Sequence, residues 1–363
     1  MKKANARIKD IAIQAGVSTG TVDRVIHNRG RVAPDVQKRV LEILREVSYE
    51  PNLIARALGS KKDYRIAALM PGPTYDPYWL GPKEGIEKAE AGVKQYGVSI
   101  QQYIFNPYDV ESYIEKAKLI TKIKPDGIFL SPIFYRDTMP FFKEWQEKKI
   151  PFVLFNTQIT ESGALSYVGQ DSHQSGLLAA KLVHYGQPQP CSILILHIDE
   201  ELSNAAHLAK KEQGFREYFK QNGLADQYKI ISAQLNRPNQ LGFADHLYSI
   251  VKSRPDLHSI YITTSKSYEI VSCLEQKDVT NVKLVGYDLL PENIECLNKG
   301  SISFLINQNP KGQGYWGIHQ LINHLVFKKE VPALKYLPLD VVTKENVIYY
   351  TNGELIEDYQ LII

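Results

Sequence analysis

Eight short apolar runs along residues 65–307 constrain the fold of this chain more than any other feature. Helical patterns separate the runs, which lie at 65–70, 98–105, 126–131, 151–156, 191–198, 259–264, 282–288 and 301–307. Apolar runs that alternate with amphipathic helices are typical of parallel strands covered by helices on both faces. We therefore predict an α/β body with parallel sheets.

Polar and aromatic side chains stand at or after the ends of several of these runs, where the strands should end. Open parallel sheets bind ligands at the carboxyl ends of their strands, so these positions are candidate ligand-binding residues. The candidates are Tyr75, Tyr78, Trp79, Ser131, Asn156, Lys211, Ser265, Asp288 and Gln308. Alternatives remain open: the aromatic cluster could pack within a lobe, Asp288 could cap a helix, and Lys211 could lie on a solvated helix face.

The first fifty residues follow a different pattern, that of three short helices. Apolar residues at i, i+3, i+4 and i+7 from Ile8 to Ala15 form one helix face, and Gly16 suits a left-handed C-terminal cap. Ser18 can cap the next helix, and two short helices around so tight a turn make a helix-turn-helix. A third helix should begin at Pro34 and run to about residue 48. We predict a small all-α head over residues 1–50.

The second of these helices is the candidate recognition helix, with its valines in the core and its polar face toward DNA. The candidate DNA contacts in the head are Ser18, Thr19, Gly20, Thr21, Arg24, His27, Asn28 and Arg29. Arg24 suits guanine because a guanidinium fork matches the O6 and N7 acceptors, although a phosphate contact or a salt bridge to Asp23 fits equally. Asn28 and Arg29 fall in the following loop, where contact with the DNA backbone is expected.

Positive charge is concentrated at the same end of the chain. Residues 1–62 contain thirteen Lys or Arg against six Asp or Glu, a net charge of +7. Because the whole chain carries +3, the remaining residues carry −4. A basic module on a slightly acidic body indicates a polyanionic partner, such as double-stranded DNA, for the first part only.

Several other classes of protein lack support in the sequence. The three cysteines are odd in number and show no metal-ligand spacing, which argues against a disulfide framework and a metal site and fits a reducing cytoplasm. Neither an N-terminal signal core nor a membrane-spanning apolar run is present. No nucleophile elbow or dinucleotide fingerprint occurs, so we expect no enzyme and no cofactor. The GQG at 312–314 lacks a phosphate-loop context and should begin a helix.

The segment IKDIAIQAGVSTGTVDRVIHNRGRV, followed by SYEPNLIARALGSKK, resembles the DNA-binding head and hinge of the LacI family of bacterial regulators. That resemblance implies a homodimer on a palindromic operator, with two hinge helices paired in the minor groove. It places Leu58 as the side chain that wedges a base step, with Ala55 and Asn52 in the same hinge motif. Two positions depart from the family pattern: Gly20 lacks a readout side chain, and Asp23 replaces the usual serine or threonine.

The body resembles the two-lobed periplasmic sugar-binding proteins that LacI-family heads are usually fused to. The resemblance implies that Lys211, Asp288 and Gln308 hydrogen-bond sugar hydroxyls, although arginine is common where Lys211 stands. It also implies a hinge and linker over 51–62 and an effector-binding domain over 63–363. Lobe one would span about 64–167 and 308–337, and lobe two about 168–307 and 338–363.

Together these observations predict a cytoplasmic, sequence-specific transcriptional regulator controlled by a small effector, with a sugar or sugar derivative expected. Closure of the cleft would change whether the paired hinge helices order on DNA. The alternatives are a sugar-binding protein without a regulatory role and an α/β enzyme.

Overall fold

The structure is a computed structural model, and it describes residues 7–26, 29–47, 49, 62–187, 189–198, 206–235 and 242–351. The chain divides into two compact units, Met1–Ser60 and Lys61–Ile363. Each unit is described by itself.

The first unit contains three helices, α1 (Ile8–Ala15), α2 (Thr19–Ile26) and α3 (Pro34–Glu46). Gly16 adopts a left-handed conformation with a φ of 65° and ends α1, as its sequence position predicts. The helices surround one small core of buried aliphatic side chains: Ile11, Ala12, Ala15, Val22, Val25, Val40 and Ile43. The third helix ends at Glu46 rather than near residue 48, because its last turn closes on Val47, whose N–H bonds to the carbonyl of Ile43.

In the second unit, twelve strands of the described residues form two sheets of six. They are β1 (Tyr64–Pro71), β2 (Val98–Phe105), β3 (Gly127–Leu130), β4 (Phe152–Phe155), β5 (Ser166–Gly169), β6 (Ser192–Ile198), β7 (Lys229–Leu235), β8 (Leu257–Ile262), β9 (Lys283–Tyr287), β10 (Phe304–Asn307), β11 (Leu334–Tyr336) and β12 (Asp340–Val342). Sheet one has the order β11-β5-β4-β3-β1-β2, and sheet two has the order β12-β10-β9-β8-β6-β7.

Nearly all strand pairs are parallel, so the predicted fold class is confirmed with one exception. The exception is β12, which runs antiparallel to β10, with Leu305 opposite Val342. A second correction concerns β2, which the sequence suggested to be fully apolar. Ser99 and Gln101 of β2 are exposed and alternate with buried residues, so the start of this edge strand is covered on one face of the sheet only.

Sheet two is covered on both faces, as its apolar runs predict. Alternate residues of β6 belong to different hydrophobic clusters: Leu194 and Leu196 to one, Ile193 and Ile195 to the other. In sheet one, aromatic side chains fill much of the core, with Phe142 stacked on Phe152 at 4.9 Å. A rigid, buried scaffold of this kind holds the strand ends in fixed positions.

The helices of the second unit follow the strands in alternation. They are α4 (Leu80–Val93), α5 (Val110–Ile123), α6 (Tyr135–Glu147), α7 (Ser172–Gly186), α8 (Ala206–Gln221), α9 (Phe243–Lys252), α10 (Ser267–Glu275), α11 (Pro291–Lys299), α12 (Pro310–Leu325) and α13 (Ile348–Thr351). Short 3-10 segments lie at Pro77–Trp79, Lys94–Tyr96 and Thr160–Ser162. The GQG segment lies in the first turns of α12, as predicted.

Two helices that border the strand ends, α7 and α8, approach so closely that glycine is required at the contact. A Cβ atom on Gly176 would lie 2.0 Å from the carbonyl oxygen of Lys211, and one on Gly214 would lie 2.0 Å from that of His173. The glycines are therefore reciprocal, each facing the backbone of the other helix. This contact fixes where α8 presents Lys211.

Within the described residues, no helix combines the length and apolar character that a bilayer span requires. The same part of the chain holds no group of three or more His, Cys, Asp or Glu placed to bind a metal ion.

Candidate functional site

Helix α2 presents a polar face beside its buried valines. Thr19, Gly20 and Arg24 are exposed on it, while Thr21 is half-buried. Ser18 begins the helix, because its hydroxyl accepts from the backbone N–H of Thr21 at 3.1 Å. The same hydroxyl lies 3.0 Å from the hydroxyl of Thr21, so both groups are engaged in the cap as well as available at the surface.

The end of α2 is closed by backbone contacts that keep Arg24 in place. The N–H of Arg29 bonds to the carbonyl of Arg24 at 2.8 Å, and Gly30 follows with a φ of 73°. Both arginines are exposed. The remaining predicted DNA contacts, His27, Asn28, Asn52, Ala55 and Leu58, lie outside the described residues.

In the second unit, the strand ends carry unusual backbone geometry. Asn156, Asp288 and Asn309 are non-glycine residues with positive φ, at 64°, 63° and 52°. Each stands one or two residues after a strand. Such conformations are strained and cluster at functional sites. A positive φ turns the side chain away from the direction it would take in an extended backbone.

Asp288 is the buried acid of this site and is 1% exposed. Its carboxylate accepts from the side-chain amide and from the backbone N–H of Gln308, at 2.5 and 3.3 Å. Burial raises the pKa of Asp288 to about 7, and the nearby ammonium of Lys211 opposes that rise. Asp288 makes these bonds to the segment after β10 and does not cap α11, so the helix-cap alternative is wrong.

Lys211 is the buried base, 2% exposed, so the alternative of a solvated helix face is wrong as well. Its Nζ donates to the carbonyl oxygen of Thr263 at 2.8 Å and lies 3.6 Å from the ring centroid of Tyr287. A cation over an aromatic face is stabilised most when it is removed from water. The ammonium and the Asp288 carboxylate are close enough to influence each other, as the pKa of Asp288 indicates.

The aromatic loop after β1 has both buried and exposed members. The hydroxyl of Tyr78 accepts from the amide of Asn156 at 2.9 Å, and Trp79 meets Phe155 edge to face at 6.0 Å. Burial, followed by the charge of Asp288, raises the pKa of Tyr78 well above its ordinary value. Tyr75 remains 45% exposed and lies at the rim. Trp79 therefore packs within its lobe, whereas Tyr78 belongs to the polar cluster.

Two hydroxyls near the strand ends are buried and, among the described residues, have no hydrogen-bond partner. They belong to Ser131, after β3, and Thr264, after β8. A buried hydroxyl without a partner costs free energy, so such groups call for a ligand or a water molecule. Ser265 is buried beside Thr264, and its carbonyl is held by the side chain of Asn293 at 2.7 Å.

Asn293 is a positioning residue that the sequence did not reveal. Its amide nitrogen also donates to the carbonyls of Tyr287 and Asp288, at 3.0 and 3.1 Å, and its oxygen accepts from the N–H of Tyr268. One side chain thereby ties the loop after β8 to the loop after β9. No local pattern distinguishes this asparagine, because its partners come from elsewhere in the chain.

A second group of missed residues spans the two sheets. Lys266, after β8 of sheet two, lies 3.6 Å from Asp76, after β1 of sheet one, and donates to the hydroxyl of Tyr108 at 3.1 Å. Asp76 also accepts from the N–H of Tyr78 and so begins the 3-10 segment that carries this tyrosine. An ion pair thus joins the loop after β1 of sheet one to the loop after β8 of sheet two.

Segments that pass between the sheets are also joined. Gln170 follows β5 of sheet one and Gln308 follows β10 of sheet two, and the amide of Gln170 donates to the side-chain oxygen of Gln308. Gln313 on α12 donates to the carbonyl of Gln308 at 3.0 Å. The structure therefore brings Tyr78, Asn156, Lys211, Asp288 and Gln308 into one buried cluster of donors and acceptors where strand ends of the two sheets meet, and we call this region the cleft.

Comparison with known proteins gives matches to both units. The family described as "Periplasmic binding protein domain" matches residues 66–329, and the family described as "Bacterial regulatory proteins, lacI family" matches residues 7–52. The transcriptional regulator MalR of Streptococcus pneumoniae is 27% identical over 48% of this chain and 52% of its own length. The ribose operon repressor of Lactococcus lactis is 24% identical over 77% of this chain and 80% of its own length.

The chain spans about half the length of the first curated relatives that it matches. Among solved structures, a candidate LacI transcriptional regulator from Bacteroides fragilis is 31% identical, with a TM-score of 0.73, covering 80% of this chain and 100% of that one. GanP, a glucose-galactose binding protein from Geobacillus stearothermophilus, is 24% identical with a TM-score of 0.70 and covers 79% and 99%. The second similarity is evidence of fold alone.

Proposed function

Because the chain belongs to the LacI family of bacterial regulatory proteins, we propose that it is a transcriptional regulator that binds an operator through its head and a sugar or sugar derivative through its cleft. The observation that carries the proposal is the pairing of two features in one chain. One is a helix-turn-helix with an exposed polar face, and the other is a buried cleft that holds both donors and acceptors.

The head supports DNA binding through shape and charge. Helix α2 places Thr19, Gly20 and Arg24 on one exposed face, which matches the docking of a recognition helix in the major groove. Residues 1–62 carry a net charge of +7, which favours contact with phosphates. We assign residues 1–50 to the head, 51–62 to the hinge and 63–363 to the effector-binding domain. DNA contacts by Ser18, Thr21, Arg29 and the hinge residues belong to the same proposal.

The cleft suits a polyhydroxylated ligand. A sugar hydroxyl both donates and accepts, and here Lys211 and Asn156 supply donors while Asp288 supplies acceptors. Ser131 and Thr264 add hydroxyls that have no partner among the described residues. The relative named as a ribose operon repressor points to the same class of ligand. We propose no catalytic step.

Regulation would proceed by a change in the cleft. Effector binding would alter the contacts that join the two sheets, including the Lys266–Asp76 ion pair, and thereby the state of the hinge. A coupling of about 1–3 kcal/mol would change operator affinity roughly 5- to 150-fold. A homodimer on a palindromic operator in the cytoplasm is part of the proposal, because one head reads only a half-site.

Fluorescence anisotropy with genomic DNA fragments tests the DNA-binding half of the proposal. We expect tight binding to some fragments, with an affinity that falls steeply as salt rises. Arg24→Ala should weaken specific binding by about 1–3 kcal/mol, the range for a guanine contact. Arg39→Ala removes the same charge from an exposed position on α3 and serves as the matched control. Equal affinity for all fragments at every salt concentration would refute sequence-specific recognition.

Thermal shift against a panel of pentoses, hexoses and their phosphates tests the effector half. A sugar present at 100 times its dissociation constant should stabilise the protein by about 2.7 kcal/mol. Lys211→Met should abolish that shift, whereas Lys210→Met, at the half-buried neighbouring position, should preserve it. A panel that gives no shift, or a shift that survives Lys211→Met, would refute the assignment of this cleft to sugars.

A further inference from the structure

Lys211 is part of a closed ring of interactions with Thr263, His197 and Glu212. Its Nζ donates to the carbonyl of Thr263, and the hydroxyl of Thr263 lies 3.0 Å from Nδ1 of His197. Nε2 of His197 lies 2.8 Å from the carboxylate of Glu212, which follows Lys211 in the chain. The ring joins α8 to the carboxyl ends of β6 and β8.

Two members of the ring are an acid and an imidazole. His197 is fully buried, and the side chain of Glu212 is 17% exposed. The hydrogen bond from His197 lowers the pKa of Glu212 to about 2, with Arg216 and Ser232 contributing as further partners. Glu212 is therefore a carboxylate at neutral pH and only accepts, so Nε2 of His197 carries the hydrogen of this bond.

We propose that His197 and Glu212 are positioning residues that hold Lys211 at the base of the cleft, an inference that rests on the proposed function of Lys211 as a ligand contact. Consecutive residues of a helix point in different directions. Lys211 bonds to Thr263 at the end of β8, and Glu212 bonds to His197 near the end of β6. Rotation of α8 about its axis would therefore break one of these two hydrogen bonds. The close contact between Gly176 and the carbonyl of Lys211 holds the same turn of α8 against α7.

A second histidine–glutamate pair, between His173 on α7 and Glu217 on α8, supplies a matched control. His173 Nε2 lies 2.8 Å from Glu217, the same distance as in the His197–Glu212 pair. Its side chains are 30% and 37% exposed, and within the described part of the chain its other hydrogen bonds join Asp171 and Gln221 rather than Lys211 or Thr263. Loss of the outer pair removes one acid from α8 and leaves the ring intact.

Chemical acetylation of the full-length chain, followed by mass spectrometry of each lysine, tests the inference without an effector or DNA. Lys211 should be protected in the unmodified sequence, and Glu212→Ala should raise its labelling rate roughly tenfold, as expected for loss of one charge-assisted hydrogen bond. Glu212→Gln, whose amide oxygen can still accept from His197, should restore much of the protection. Glu217→Ala should leave Lys211 protected.

Lys266 is the internal reference, since it is a second buried lysine of the cleft and lies outside the ring. Selective labelling of Lys211 in Glu212→Ala supports a positioning role. Continued protection of Lys211 in that variant overturns the proposal. An equal rise in the labelling rate of Lys266 also overturns it, because it would show that the whole domain has loosened. Equal labelling in the Ala and Gln variants also overturns it, because a hydrogen bond to His197 is what the proposal requires. None of these outcomes depends on whether the chain binds an operator or a sugar.

Discussion

The contact between α7 and α8 predicts a large penalty for one added methyl group. Gly176→Ala would place Cβ 2.0 Å from the carbonyl oxygen of Lys211 and 2.8 Å from its carbonyl carbon. These are backbone atoms of a helix, so they cannot rotate away, and the two helices must separate. Overpacking of this kind costs typically about 1–3 kcal/mol, and separation also costs packing contacts.

Replacing glycine with alanine within a helix also stabilises the helix, and this gain must be subtracted from the cost of overpacking. Helix propensity favours alanine over glycine by about 1 kcal/mol. Gly92 in α4 isolates that gain, because a Cβ atom there would meet nothing within 4 Å. We expect Gly92→Ala to be stabilised by up to about 1 kcal/mol and Gly176→Ala to be destabilised by about 1–2 kcal/mol.

Thermal unfolding followed by circular dichroism measures the difference between the two variants. The two variants should differ in stability by about 1–3 kcal/mol, and with a shift of about 2–4 °C per kcal/mol for a large domain their midpoints should differ by roughly 2–12 °C. Gly176→Ala should also lose affinity for the effector, because α8 carries Lys211. A Gly176→Ala chain as stable as Gly92→Ala would refute the argument that close backbone contact requires glycine here.

Three further predictions follow from individual residues. Gly20→Ala should stabilise the head by up to about 1 kcal/mol, because a Cβ at this exposed position meets only the Ser18 hydroxyl, at 3.7 Å. It should also change operator preference. Urea unfolding measures the first effect, and anisotropy measures the second. Asp288 has its pKa raised from 3.8 to about 7, so the folded state holds a proton that the unfolded chain releases, and its contribution to stability falls as pH rises from about 4 to about 7. In Asp288→Asn the free energy of unfolding should not show this fall between about pH 4 and about pH 7. If its dependence on pH matches that of the unmodified protein, burial of Asp288 does not raise its pKa. Asn293→Ala should cost about 2–4 kcal/mol by leaving buried carbonyls unpaired, whereas Asn222→Ala, which loses one exposed bond, should cost under about 1 kcal/mol.

Sequence reasoning succeeded where the determining interactions are local or where a strand is buried on both faces. The cap at Ser18, the left-handed Gly16 and the start of α3 at Pro34 follow from short-range preferences. The eight apolar runs all contain strands, and both Asp288, at the end of one run, and Lys211, on the helix after another, are buried. Their role as ligand contacts stays a prediction.

The strands and site residues that the sequence did not predict were missed for physical reasons. Strands β11 and β12 are only three residues long, β5 (SYVG) lacks a continuous apolar run, and β7 is an edge strand with a half-exposed, partly polar pattern. Asn293 and the Lys266–Asp76 pair act through partners brought together only by folding. Periodicity carries no information about such contacts.

The bond between Gln170 and Gln308 gives the cleft an additional property. Gln308 stands on a segment that passes between the sheets, and it also bonds to Asp288 at the base of the cleft. Under the proposed function, a ligand hydroxyl that replaced the Gln170 amide would act on a segment that passes between the two sheets rather than on an exposed loop. On that proposal, ligands of equal affinity are expected to differ in how strongly they change operator binding, so that potency and efficacy would vary independently.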